Sequence, residues 1–266
     1  MENELLKTAI EAARLAGQEL VRLWRTPLDT RSKGLRDIVT SADMAAERLV
    51  IETIRRHYPD HVIFSEESGE SAGAGAGAAF QWFIDPLDGT TNYARGIPYF
   101  CVSVAVMRDS MPLAGAVYDP LHDRLYHALR GNGAYCKDRR LACSGRSRLL
   151  DLLVAFDWPR DDASRSRIAR LVLEITCRVG GMRSLGSAAL ELCAVADGSA
   201  DAYVHPSLRA WDTAAAGLIV EEAGGRVTEM DGSPAWWQGT TCLASNGLAH
   251  EPLLELIRQS SSGSVV

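Results

Sequence analysis

The stretch Trp82-Phe83-Ile84-Asp85-Pro86-Leu87-Asp88-Gly89-Thr90-Thr91-Asn92 decides the fold, and its pattern predicts a buried apolar strand that ends at a carboxylate. Pro86 keeps the residue before it extended and has no amide hydrogen, so we expect the chain to turn there and to present Asp88 soon after Asp85. Two carboxylates this close repel each other, and a bound divalent cation removes that cost. Hard oxygen ligands suit Mg²⁺ or Mn²⁺ better than Zn²⁺.

The residues that follow Asp88 predict a phosphate site. Gly89, Thr90 and Thr91 are expected to begin a helical turn, where outward-facing amides and the positive end of the helix dipole favour an anion. Metal carboxylates beside such amides form the core of a phosphoryl-transfer site. Taken alone, the stretch also fits a plain surface turn, because Asp, Pro and Gly are common turn formers.

Three further segments place carboxylates next to predicted elements: Ser65-Glu66-Glu67 after a strand, residues 37–43 (DIVTSAD) before a helix, and Trp211-Asp212-Thr213-Ala214-Ala215 before another helix. Asp43 lies where it could complete a helix capping box with Thr40, which is an alternative to a catalytic role. Asp212 has a helix N-cap as its alternative. Glu67 should point away from Glu66 along an extended chain, and it is predicted not to be a ligand.

These segments, in this order, resemble the signatures of the inositol monophosphatase family. The signatures are the W-x-x-D-P-x-D-G-T-x-N stretch and a later W-D-x-A-A, and the likeness extends from the first helix to about residue 247. The resemblance implies a mixed α+β and α/β fold, namely the layered α-β-α-β-α sandwich of the inositol monophosphatase and fructose-1,6-bisphosphatase type. It also implies a homodimer.

Carried over residue by residue, the resemblance implies a site for two or three Mg²⁺ ions, with Mn²⁺ as a substitute. The first ion would be held by Glu66, Asp85, the Leu87 carbonyl and the Thr90 hydroxyl, and the second by Asp85, Asp88 and Asp212. Glu66 would also face a weaker third ion. Asp43, Thr90 and Glu66 are the implied catalytic residues, since Asp43 and Thr90 would orient and deprotonate the attacking water. Lys33 is a candidate for the periphery of the metal site.

The same resemblance implies the substrate contacts. The phosphate would lie on the amides of Gly89 and Thr90 beside Asp88, and the alcohol half of the substrate on Gly186, Ser187 and Ala188. In animal inositol monophosphatases, a glutamate seven residues before the Trp-Asp aspartate accepts a hydrogen bond from inositol. Here that position is His205, a weaker acceptor, which predicts loose selectivity for inositol phosphate. Alternatively, His205 only ends a strand before Pro206, and Arg209 reaches the substrate.

The implied activity is that of a phosphoric monoester hydrolase, in which a metal-bound water attacks phosphorus directly and lithium inhibits. Inositol 1-phosphate is the first candidate substrate, with histidinol phosphate, fructose 1,6-bisphosphate and NADP as alternatives from the same superfamily. A transcription-associated binding protein is the alternative from another class. Loss of a ligand carboxylate would favour that role, but all of them are present, so the enzyme is preferred.

Periodicity divides the chain into two halves. Residues 1–145 predict two helices followed by short strands and an antiparallel meander, and residues 146–259 alternate strand and helix. The metal carboxylates fall mostly in the first half, whereas Asp212 and the substrate pocket fall in the second. Residues 68–79 (SGESAGAGAGAA) are predicted to be a mobile loop or hairpin tip, and 260–266 a disordered tail.

Composition limits the partners. A net charge of −6 argues against a nucleic-acid binder, which needs a basic surface. No apolar stretch is long enough for a membrane span, and the N-terminal sequence is unlike a signal peptide, so a cytoplasmic protein with a small phosphate monoester as its partner is expected. The six cysteines form no Cys-x-x-Cys pair and are predicted to be reduced core residues.

Overall fold

The first layer of the fold is a pair of helices. The structure, a computed structural model, describes residues 1–71, 79–234, 236–238 and 240–262. Helix α1 (Glu2–Leu23) and helix α2 (Ser41–His57) lie against each other, and both are amphipathic as predicted. Half of the buried residues of α1 are alanines, and a Cβ added at Gly17 would come within 2.5 Å of the Tyr118 ring. This glycine therefore allows α1 to approach the neighbouring sheet closely.

The sheet under these helices has eight strands. They are β3 (Val62–Ser65), β4 (Gly69–Ser71), β5 (Phe80–Asp88), β6 (Cys101–Arg108), β7 (Met111–Asp119), β8 (Arg124–Leu129), β9 (Ala134–Cys136) and β10 (Arg139–Arg140). Their order is β10-β9-β8-β7-β6-β5-β3-β4, and only β3 and β5 pair in parallel. The predicted meander after Cys101 is confirmed. Short helix α3 (Thr90–Ala94) follows β5 directly, as the sequence predicted.

The second sheet lies in the C-terminal half. Its strands are β11 (Leu153–Phe156), β12 (Gly181–Arg183), β13 (Ala202–His205), β14 (Arg226–Thr228) and β15 (Cys242–Ser245), in the order β12-β11-β13-β15-β14. The helices of this half are α4 (Asp162–Thr176), α5 (Ala188–Ala196), α6 (Ala210–Glu222) and α7 (His250–Ser262).

Three apolar cores join these elements into layers. One core lies between α1, α2 and the first sheet, and a second contains α5, α6 and the facing sides of both sheets. The third lies between the second sheet and α4 with α7. The result is the predicted α-β-α-β-α sandwich. The middle layer is tight: a Cβ at Gly115 would lie 2.7 Å from the Cα of Ala215, and one at Gly217 would lie 2.4 Å from the Trp236 ring.

Some details differ from expectation. The polar run after α1 forms an exposed hairpin of β1 (Thr30–Gly34) and β2 (Asp37–Thr40), whereas only a helix end had been inferred there. Helix α7 continues to Ser262, so the predicted disorder is wrong for 260–262. Residues 72–78, most of the predicted mobile loop, and 263–266 lie outside the described residues. The border near residue 145 stays a prediction.

No helix among the described residues combines the length and the apolar character that a membrane span requires.

Candidate active site

Three carboxylates from distant parts of the chain meet at one end of the first sheet. Glu66, Asp85 and Asp212 each place an oxygen within 4.8 Å of the other two. Glu66 directly follows β3, and Asp85 lies at the same end of the parallel neighbour β5, so the two carboxylates come together at the carboxyl ends of paired strands. Asp212 is the third residue of α6 and caps its first turn by accepting a hydrogen bond from the Arg209 amide at 2.7 Å. The alternative of an N-cap is therefore wrong, because Arg209 is the N-cap residue.

The acid cluster consists of carboxylates alone, so no positive charge within it neutralises them. Asp85 is only 2 % exposed, and burial raises its pKa well above the ordinary value, with the charges of Glu66, Asp88 and Asp212 adding to the effect. Burial and the charge of Glu66 likewise raise the pKa of Asp212. A partly buried all-oxygen set with mutual repulsion is the donor chemistry that fits Mg²⁺ or Mn²⁺. The residues present therefore fit the implied metal.

Asp88 lies beside the cluster, and hydrogen bonds from the start of α5 hold its carboxylate in place. Its Oδ2 accepts hydrogen bonds from the Ser187 hydroxyl at 2.6 Å and the Ala189 amide at 2.7 Å, at the start of α5. Burial raises the pKa of Asp88 to about 6. Ser187 is fully buried and is not among the residues that line the cavity, and its contact with the substrate stays a prediction. In this structure its hydroxyl positions Asp88.

The predicted catalytic pair is brought together. The Thr90 hydroxyl lies 3.0 Å from Asp43 Oδ1 and 3.0 Å from the Leu87 carbonyl oxygen. The other oxygen of Asp43 accepts hydrogen bonds from the Thr40 amide at 2.9 Å and the Thr40 hydroxyl at 2.6 Å, which completes a capping box on α2. The capping box considered for Asp43 is therefore present, the catalytic role stays a prediction, and burial raises the pKa of Asp43.

Gly89 and Asn92 shape the turn after β5, and Asn92 connects this turn to the segment around Gly186. Gly89 has φ of 94°, and a Cβ there would lie 3.0 Å from the Tyr99 carbonyl oxygen. Asn92, the last residue of the signature stretch, donates to the carbonyl oxygens of Tyr99 at 2.9 Å and Leu185 at 2.7 Å. It thereby ties α3 to the segment that contains Gly186, whose φ is 83°. No role was predicted for Asn92, although this residue is part of the motif.

A cavity of about 870 Å³ opens over the acid cluster. Most predicted site residues lie on its wall, namely Glu66, Asp85, Leu87, Asp88, Gly89, Thr90, Gly186, Ala188, His205 and Asp212. Further wall residues had not been predicted, among them Asp157, Trp158, Arg160 and Tyr203. No sequence motif marks the two segments in which these residues lie.

His205 is the last residue of β13 and also lines the cavity, so its contact with the substrate stays a prediction. Burial lowers the pKa of its ring to about 4, which leaves it neutral at pH 7. Its Nδ1 accepts a hydrogen bond from the Ser207 amide at 3.1 Å, so the ring proton must reside on Nε2. The expectation of a weak acceptor at this position is therefore wrong for Nε2, which is a donor.

Two basic side chains, those of Lys33 and Arg160, contact Glu66 Oε1. Lys33 Nζ, predicted at the periphery of the site, lies 3.1 Å from Glu66 Oε1 and 2.7 Å from Glu67 Oε1. The chain turns after β3, so Glu66 and Glu67 do not point in opposite directions as predicted. Arg160 Nη2 lies 3.3 Å from the same Oε1 of Glu66.

Comparison with known proteins agrees with this geometry. The family model described as "Inositol monophosphatase family" matches residues 1–262. The chain is 37% identical over 258 residues to the "Putative Nus factor SuhB" of Neisseria meningitidis serogroup B, covering 96% of this chain and 98% of that protein. It is 36% identical over 263 residues to the "Inositol-1-monophosphatase" of Mesorhizobium japonicum, covering 97% of each.

Among solved structures, the extragenic suppressor protein SuhB of Bartonella henselae superimposes with a TM-score of 0.90 at 33% identity, covering 98% of this chain and all of that one. The motifs, the layered fold and the match over nearly the whole length agree. The chain therefore belongs to the inositol monophosphatase family.

Proposed function

We propose that this protein is a Mg²⁺-dependent phosphatase that hydrolyses a small phosphate monoester, with inositol 1-phosphate as the first candidate. The observation that supports this most strongly is the convergence of Glu66, Asp85, Asp212 and Thr90 on one cavity wall, with the buried Asp43 bonded to Thr90. Metal carboxylates beside a positioned hydroxyl are the parts that phosphoryl transfer requires.

The residues that would hold the ions are those implied by the motifs. Glu66, Asp85, the Leu87 carbonyl and the Thr90 hydroxyl would hold one ion, and Asp85, Asp88 and Asp212 a second. When bound, such ions lower the pKa of a water and neutralise the charge on phosphate and leaving alkoxide.

The chain itself would orient the water and the phosphate. When the Thr90 hydroxyl donates its proton to Asp43, its oxygen keeps lone pairs that can accept a hydrogen bond from the attacking water. Asp43 is then the group within reach of a proton that passes through Thr90. The amides of Gly89 and Thr90, at the start of α3, would bind the phosphate oxygens. Attack is direct, without a phosphoenzyme.

A phosphate-release screen tests the proposal. Inositol 1-phosphate, histidinol phosphate, fructose 1,6-bisphosphate and NADP should be compared with and without Mg²⁺, and light scattering should report the homodimer. Release that requires Mg²⁺ and falls in lithium chloride but not in sodium chloride supports the proposal. No Mg²⁺-dependent release from any of the four would contradict it.

A second candidate function comes from the names of relatives. The similar protein of Neisseria meningitidis is named a putative Nus factor, which favours a transcription-associated role for this chain as well. An Asp85→Asn variant separates the two roles, because it should lose phosphate release. If that variant still replaces a Nus factor SuhB in a cell that lacks one, the second role does not depend on catalysis.

A further inference from the structure

One oxygen of Glu66, Oε1, is already bound by two cations of the protein. Oε1 accepts a hydrogen bond from Lys33 Nζ at 3.1 Å and another from Arg160 Nη2 at 3.3 Å. Resting on the metal assignment in the proposed function, we propose that Lys33 and Arg160 replace a third divalent ion at Glu66. The protein then binds two ions per chain, and its own side chains neutralise the outer face of the site.

The stereochemistry of a carboxylate supports this. Each carboxylate oxygen offers about two lone-pair positions. At Glu66 Oε1, Lys33 and Arg160 take both. A Mg²⁺ ion binds oxygen at about 2.0–2.1 Å and with strict geometry, so an ion at Oε1 would have to displace one of the two cationic groups. Oε2 is then the one carboxylate oxygen of Glu66 left to bind a metal ion.

Arg160 is held in place by its surroundings. Its carbonyl oxygen accepts a hydrogen bond from Arg36 Nη1 at 2.8 Å, and Arg36 Nη2 forms an ion pair with Asp162 at 2.8 Å. These contacts bind the tip of the β1–β2 hairpin to the segment between β11 and α4. Arg160 Nη2 also forms an ion pair with Asp37 Oδ1, 3.1 Å away. The arginine thus lies between two carboxylates.

Lys33 is fixed in a similar way. It bridges Glu66 and Glu67, with Nζ 2.7 Å from Glu67 Oε1, and its side chain is 22 % exposed. An incoming divalent ion at Oε1 would approach both an ammonium and a guanidinium group at short range. The like charges repel, so a third ion is disfavoured by charge as well as by space.

A metal titration tests the inference without reference to activity. Mn²⁺ binding to the full chain, followed by the electron paramagnetic resonance signal of free Mn²⁺, should saturate at two ions in the wild type. Arg160→Met and Lys33→Met each free one lone-pair position and should each reveal a third, weaker ion. Arg95→Met is the matched control, because Arg95 lies on the same cavity wall and has no carboxylate partner among the described residues. It should leave the count at two.

A crystal of Arg160→Met soaked with Mn²⁺ should place the additional anomalous peak next to Glu66 Oε1. Three ions in the wild type, or two ions in both folded variants, would overturn the inference and leave the phosphatase proposal intact. A wild type that binds no Mn²⁺ would overturn the metal assignment itself. Circular dichroism checks that each variant is folded.

Discussion

At the scale of single residues, Asp85 is the group on which both implied ions depend. Asp85→Asn should lower kcat/KM for Mg²⁺-dependent phosphate release by about a hundredfold or more, because an anionic ligand is lost. The metal-free variant should be at least as stable as the wild type, since the substitution relieves repulsion from Glu66 and Asp212. Assays at saturating Mg²⁺ and thermal unfolding measure the two effects.

The exposed Asp151, far from the acid cluster, gives a matched control in Asp151→Asn. Retention of most activity by Asp85→Asn would contradict the metal assignment.

His205 is expected to set selectivity for the alcohol half of the substrate. His205→Glu replaces a donor at Nε2 by a carboxylate acceptor, so kcat/KM for inositol 1-phosphate relative to histidinol phosphate should rise about tenfold to a hundredfold. His205→Gln controls for size without charge, and Arg209→Met tests the alternative contact. A wild type that already prefers inositol 1-phosphate by about a hundredfold, with the same ratio in the glutamate variant, would refute the role of His205.

At the scale of elements, α2 fixes the turn that carries Glu66. Glu47 of α2 is 4 % exposed, and its Oε1 accepts hydrogen bonds from the Ser65 hydroxyl and from the Ser68 amide at 3.0 Å. Glu47→Gln should therefore weaken Mg²⁺ affinity about tenfold to a hundredfold, because the support of a ligand is loosened. Calorimetric titration with Mg²⁺ measures the change.

Glu52→Gln changes the same residue type on the exposed side of α2, where Glu52 contacts only Arg48 at 3.3 Å among the described residues. Its Mg²⁺ affinity should match that of the wild type. Equal affinities for the Glu47 and Glu52 variants would show that α2 does not support the turn.

Elements with a strong period could be predicted from the sequence, and elements held by distant contacts could not. Helix α2 could be predicted because its apolar residues recur at helical spacing. The β1–β2 hairpin has no such pattern, since β1 is exposed along its whole length. Its tip is bound by Arg160 and Asp162, which lie more than a hundred residues further along the chain.

At the scale of the whole molecule, His250 links the outermost helix to the second sheet. Its ring is fully buried, with Nδ1 2.9 Å from the Ser245 hydroxyl and Nε2 3.0 Å from the Thr228 hydroxyl. Burial, then the charge of Arg226, lowers its pKa to about 4. The unfolded chain binds a proton at this residue near pH 6.5, and the folded protein does so only near pH 4. The contribution of His250 to stability is therefore complete above about pH 6.5 and falls as the pH drops towards 4.

The difference in unfolding free energy between wild type and His250→Gln should isolate this contribution from that of the carboxylates. As the pH falls from 7 to 4, the wild type should lose roughly 2–3 kcal/mol of unfolding free energy relative to His250→Gln. Urea unfolding at several pH values measures it, and His57→Gln, which removes an imidazole from the surface, is the matched control. A difference that does not depend on pH would rule out the buried neutral ring.

The same division applies to the active site as a whole. The metal carboxylates could be predicted because each lies in a short segment whose local chemistry marks it. Arg160 and Asp157 reach the cavity only because the chain folds so that the segment after β11 lies beside Glu66 and Asp85, and nothing near them in sequence indicates that position. The proton on Nε2 of His205 depends on one backbone amide, so the hydrogen-bonding role of that ring was predicted wrongly.

The tight middle layer has a consequence for how this chain tolerates change. Asp212 lies in the first turn of α6, whose Ala215 leaves no room for a side chain at Gly115 and whose Gly217 lies against the Trp236 ring. A single added methyl group would push the helix and displace the carboxylate with it. In a saturation mutagenesis library, Gly115 and Gly217 should therefore be as intolerant as the acidic residues themselves, although neither carries a reactive group. Counting the intolerant positions would therefore overestimate the number of catalytic residues, because some positions are intolerant only since they are tightly packed.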